Sequence, residues 1–135
     1  MRSDYFYDYA VIRIVPKVDR EEFINAGIIL SCEEKEFLDA KIEIDEKRLK
    51  AFDPDFDIET AKTHLNAIYT ICKGGKETGT IGELSQRQRF HWLTSPKSTI
   101  IQTSPVHSGY CKDPAETLSH LFEKMVKSSI NKLKQ

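Results

Sequence analysis

The stretch DYAVIRIVP, residues 8–16, decides how this 135-residue chain is read. On a two-residue period Ala10, Ile12 and Ile14 share one side, while Tyr9, Val11, Arg13 and Val15 share the other. Both sides are apolar except at Arg13, a pattern that fits a central strand. Pro16 has no N–H for a ladder, so the strand is expected to end there. Working outward, VDREEF makes a connection or short helical turn, and AGIILSC, residues 26–32, follows as a second strand. After the polar turn Glu33-Glu34-Lys35 comes EFLDAKIEI, which alternates cleanly. Leu38, Ala40, Ile42 and Ile44 point inward, and Asp39, Lys41 and Glu43 outward, giving a third strand with one wet face. The short connection favours an antiparallel hairpin, because a parallel return needs about a dozen residues.

Beyond residue 44 the pattern turns helical. Asp45 is placed to cap a short helix that stops before Pro54. Asp57 caps a longer one with Ala61, Leu65, Ile68 and Cys72 on one face and Gly74-Gly75 as its stop. Residues 83–92 read as a further short helix and STIIQT, residues 98–103, as a fourth strand. Asp113, Pro114 and Glu116 form a capping-box start for an amphipathic C-terminal helix. Its stripe runs through Leu118, Leu121, Phe122, Met125, Val126, Ile130 and Leu133. Lys124, Lys127, Lys132 and Lys134 suit the negative end of its dipole and read as a solvated face. The expected architecture is one α+β domain over residues 1–135. It has an antiparallel sheet of about four strands, helices mainly on one face and the C-terminal helix packed across the core.

The totals narrow the function. A formal charge of -1 offers no long-range field for nucleic acid or anionic lipid, so neither is an expected partner. No apolar run approaches the roughly 20 residues that cross a bilayer. Three cysteines without CxxC spacing, and no charged-then-apolar leader before Tyr5, lead us to expect a cytoplasmic protein. His91, His107, Cys111 and His120 lack the paired spacing of a zinc site, so no metal and no cofactor is expected. Cys111 with His107 has no third group to orient a nucleophile, so Cys111 reads as a small, partly buried thiol just before a helix cap, and Cys72 as a core thiol. GGKETGT lacks the Walker spacing, Ser104-Pro105 lacks the glycines of a nucleophile elbow, and Asp53, Asp55 and Asp57 lack the EF-hand glycine.

Arg13 is the informative residue. On an apolar strand it requires a carboxylate such as Glu21, Glu22 or Glu83, a set of carbonyls, or an anionic ligand. Arg20, Asn25, Arg89, Lys97 and His107 sit at element ends where the fold can gather them near it, and Ser104 lies in the same polar run. These seven are the candidate ligand- or partner-binding residues. Phe90 and Trp92 read as core, and Asn25-Ala26-Gly27 as a positive-φ turn into a strand, with glycine admitting another backbone.

VIRIVP, residues 11–16, the block REEFINAGIIL at residues 20–30, and RFHWLTSPKSTIIQTSPVHSG with Asp113-Pro114 together resemble a bacterial domain-of-unknown-function family, numbered 3037. The resemblance covers about residues 9–127, and Lys97 stands where that family often has arginine. It implies no activity. It does imply a gene neighbour, a HipA-like serine/threonine kinase, and hence a paired regulatory or toxin–antitoxin system. The expected function is therefore a non-enzymatic interaction module that regulates a protein partner. The alternative is an enzyme or sensor holding a phosphorylated or nucleotide ligand through Arg13, Arg20, Arg89, Lys97 and His107. Sheet edges also allow a homodimer.

Overall fold

The computed structural model describes residues 4–17, 20, 22–97 and 99–127. Glu21, Ser98, Ile130, Lys132, Leu133 and Lys134, all invoked above, lie outside the described residues. The chain folds as an α+β domain around an antiparallel sheet. Strand β1 (Tyr5–Ile14) pairs with β2 (Ile24–Cys32), and β2 with β3 (Phe37–Ile42). The other flank of β1 is shared by two short strands in series. Strand β4 (Ile101–Thr103) lies against Ile12–Ile14, and β5 (His107–Cys111) against Tyr5–Tyr9. The expected fourth strand is β4; β5 is a fifth, which the periodicity does not signal.

Helices α1 (Glu46–Phe52), α2 (Ile58–Lys73), the single turn α3 (Gly79–Gly82) and α4 (Gln86–Thr94) precede β4. Helix α5 (Pro114–Phe122) follows β5 and widens into a π turn, Glu123–Lys127. On one face Ile12, Ile14, Ile29 and Ala40 pack against Leu49 of α1, Leu65 and Ile68 of α2 and Phe90 of α4. On the other, Val11, Ile28, Leu30 and Cys32 meet Leu118, Leu121, Phe122 and Val126. Helices thus lie mainly on one face, while α5 covers the other. Ile12, Ile28, Ile29 and Leu30 are fully buried. Each contributes roughly 1.5–3 kcal/mol relative to an exposed side chain, so β1 and β2 hold the domain together. The outward side of β3 is wet only in part, because Lys41 lays its ammonium 5.0 Å from the Phe122 ring.

Caps occur where the chemistry demands. Asp45 accepts from the Arg48 amide, Asp57 from Thr60, and Asp113 from Ala115 and Glu116. The reciprocal capping box belongs to Ser85 and Gln88 at the start of α4, three residues after the expected start at Glu83. Gly74, just beyond α2, takes φ 71° with an extended ψ of -176°, a positive-φ conformation that glycine adopts without a Cβ penalty. Asn25, Ala26 and Gly27 form no positive-φ turn; they lie inside β2, where a bulge shifts the register between Ile12 and Arg13. The close approach is real, since a Cβ on Gly27 would stand 2.6 Å from the Lys41 carbonyl oxygen.

Candidate functional site

The sheet has three exposed edges, treated differently. On β3 the Ala40 amide donates to its neighbour Asp39 Oδ1 at 2.8 Å, and the Ile42 amide to the Tyr69 hydroxyl at 2.9 Å. On β4 the Thr99 hydroxyl donates to the Ile101 carbonyl at 2.8 Å and accepts from the Ile101 amide, while Thr103 Oγ1 donates to Thr94. Side chains therefore block both edges against a further strand. The β5 edge is open. Val11 turns its amide and carbonyl toward Ser104, so by alternation Tyr5, Tyr7 and Tyr9 turn theirs toward Cys111, Gly109 and His107. Ser108 and Tyr110 consequently direct their backbone groups away from the sheet, and no partner meets them among the described residues.

Aromatic side chains frame that edge. Tyr110 is 66% exposed, Val106 45% and Phe6 44%. Phe6 and Tyr110, cross-strand partners, meet edge to face with centroids 5.7 Å apart. On the opposite side His107 lies 5.4 Å from the Tyr9 ring, which continues to Tyr7. Tyr7 covers Gly109, whose missing Cβ would sit 2.8 Å from the tyrosine oxygen, and burial raises the pKa of that phenol. Nearby, Ser108 Oγ donates to Asp8 across the ladder.

Arg13 meets an unexpected partner. Its guanidinium lies 4.2 Å over the Phe23 ring, and no carboxylate pairs with it among the described residues. Asn25 and Gln102 are its cross-strand neighbours. The Asn25 amide donates to the Met125 carbonyl at 3.1 Å, tying β2 to the π turn. Arg13 Nε and Asn25 Oδ1, a donor and an acceptor on adjoining strands, are both buried without a hydrogen-bond partner among the described residues.

The other candidates are not gathered around Arg13. Arg20 pairs with Glu22 at 2.6 Å. Arg89 donates to the Ile71 and Cys72 carbonyls at the end of α2, at 2.8 and 2.7 Å, and to Leu84 at 3.1 Å. Lys97 donates to the Trp92 and Ser95 carbonyls past the end of α4. Two cations thus satisfy helix C-termini, where orphan carbonyls and the dipole favour them. His107 belongs to the β5 edge. Trp92 is not core: it is 41% exposed, because the helical period turns Phe90 and Leu93 inward and leaves Trp92 between them.

Ser104 splices the two short strands. Pro105 has no N–H, and the register advances by one residue between β4 and β5. Ser104 Oγ accepts from the buried Val11 amide at 2.8 Å and donates to the Pro105 carbonyl at 2.9 Å. Ser104→Ala leaves the Val11 N–H without an acceptor. The expected loss is about 2 kcal/mol in urea denaturation, with an unchanged dependence on denaturant.

The three thiols are free and buried. Burial pushes Cys72 up to about 12 and also raises Cys111, so neither is an activated nucleophile. Among the described residues, no three His, Cys, Asp or Glu side chains are grouped to hold a metal ion. No described helix is long and apolar enough to cross a membrane.

These features define an α+β domain whose most accessible chemistry is an unblocked strand edge flanked by aromatic rings. The chain belongs to the family described as "protein of unknown function (DUF3037)", whose model matches residues 9–126. No curated protein and no solved structure matches it.

Proposed function

We propose that this domain is a non-enzymatic interaction module that accepts an extended segment of a protein partner along β5. The contrast among edges carries the reading: β3 and β4 are closed by hydrogen-bonding side chains, whereas Ser108 and Tyr110 offer their backbone groups to an incoming strand. Strand addition supplies affinity through main-chain hydrogen bonds, and exposed Phe6, Val106 and Tyr110 supply side-chain selectivity. The partner to test first is a HipA-like serine/threonine kinase, with this domain as its regulator or antitoxin, as the family resemblance suggests. Free, buried thiols accord with a cytoplasmic setting.

The test is co-purification with the neighbouring kinase, compared between the native chain and Tyr110→Pro. Proline is tolerated where the N–H points away from the sheet, so this variant is expected to fold and melt as the native chain does. We expect a complex on gel filtration at about 10 μM with the native chain, and at least about tenfold weaker association for Tyr110→Pro. A second copy of the chain is the competing occupant, and gel filtration of the domain alone detects it. Absence of a complex, or equal binding by the proline variant, would overturn the reading.

A further inference from the structure

A second surface differs from the β5 edge in chemical character. Helices α2 and α4 and strand β4 enclose a groove of about 250 Å³. Its floor is apolar, made by Ala67, Ile68 and Ile71 of α2 with Leu93 and Ile101. Trp92, the sole tryptophan of the chain, is a half-exposed wall. Among the described residues, no aspartate or glutamate lines the groove. Its basic side chains among the described residues are His64 and Lys97, and the Lys97 Nζ sits 4.8 Å from the Trp92 ring centroid.

We propose that this groove binds a small organic anion with an apolar body, an aromatic monocarboxylate being the class that fits best. Lys97 is pre-positioned for it. Two of the three N–H bonds of an ammonium are taken by the Trp92 and Ser95 carbonyls, at 2.9 and 3.2 Å, which leaves one for a ligand oxygen. No carboxylate pairs with this lysine among the described residues. Burial lowers its pKa, so a neighbouring anion would restore the stability of the charged form. The flat Trp92 face and aliphatic floor suit a planar hydrocarbon. A phosphate or nucleotide needs several convergent cationic donors, whereas here one ammonium is joined only by the His64 imidazole and by neutral Thr99, Gln102 and Thr103. The volume is below the range of drug-sized sites, which limits the ligand to a fragment-sized molecule. This assignment is independent of the strand-docking reading, because the groove and the β5 edge share no residue.

The single tryptophan gives a direct readout, since its indole N–H is one resolved cross-peak in a proton–nitrogen correlation spectrum. We expect 2-naphthoate to shift that peak saturably with a Kd below about 1 mM, and neutral 2-naphthalenemethanol to bind at least about fivefold more weakly. Lys97→Met should bring the carboxylate down to the affinity of the alcohol and leave the alcohol unchanged. Ala67→Phe, which fills the floor, should abolish both. If Lys97→Met unfolds, a comparison on the native chain with cationic 2-naphthylmethylamine decides instead, the amine being expected to bind most weakly. The proposal is overturned by no saturable shift at about 10 mM, by equal affinity of the three compounds, or by a carboxylate preference that survives Lys97→Met.

Discussion

Arg89→Ala is expected to remove about 3 kcal/mol of stability, a drop of roughly 1.5 M in the urea midpoint. The side chain donates charged hydrogen bonds to three carbonyls on two separate segments, Ile71 and Cys72 of α2 and Leu84 before α4. Ile71 and Cys72 lie in the last turn of α2, where carbonyls have no partner inside the helix. Truncation leaves those oxygens to whatever water reaches them and releases α4 from the end of α2. Arg89→Lys should recover less than half of the loss, because one ammonium lacks the planar fork that spans both segments. A variant indistinguishable from the native chain in urea would show that the arginine is spare and free for another role.

Gly27→Ala should be comparably damaging, by about 3 kcal/mol, although it adds a single methyl group. The new carbon would lie 2.6 Å from the Lys41 carbonyl oxygen and 3.1 Å from the Ile42 Cα. Both are backbone atoms of the adjoining strand, so no rotamer change relieves the contact; β3 itself must move. Gly27 pairs with Ile12 on one side and Ile42 on the other, next to the bulge, and the strain therefore reaches both hairpins. Thermal denaturation reads the effect as a fall in Tm of roughly 10 °C. A change below about 2 °C would mean that β3 is held far more loosely than its ladder indicates.

The parts of the fold that could be read beforehand are those decided by neighbours in sequence. Ala10, Ile12 and Ile14 alternate with Val11 because β1 is covered on both faces, and the same alternation marks β3. Asp45, Asp57 and Asp113 announce their helices because a cap is satisfied within three residues. Strand β5 was illegible for the converse reason. Of its five residues only Cys111 is buried, so HSGYC carries no two-residue pattern, and its place is set by the tyrosines of β1 a hundred positions away. Gln102 and Ser104 show the same limit, since the role of each depends on where β1 lies.

The candidate site divides along that line. Arg13 stood out as the one charge on an apolar strand, but its aromatic partner Phe23 lies beyond the turn and gives no periodic signal. For Arg89 and Lys97, composition reports charge and not destination. Their targets are carbonyls at helix ends, which exist only once the helices are packed. The groove was hidden for a similar reason. It is built by α2, α4 and β4 together, and a tryptophan in a helix gives no sign of being left at the surface.

The splice at Ser104 also governs the order in which the molecule assembles. Its hydroxyl reaches Val11 across 93 positions, so β1 gains its second neighbour only after a very long loop has closed. Until then one flank of β1 stays unpaired. During synthesis, which runs from the N-terminus at about 5–20 residues per second, that naked flank waits several seconds for its complement to leave the ribosome. A nascent chain of this design spends its infancy exposed to self-association, and a slow, late folding phase is the kinetic signature that the split flank imposes.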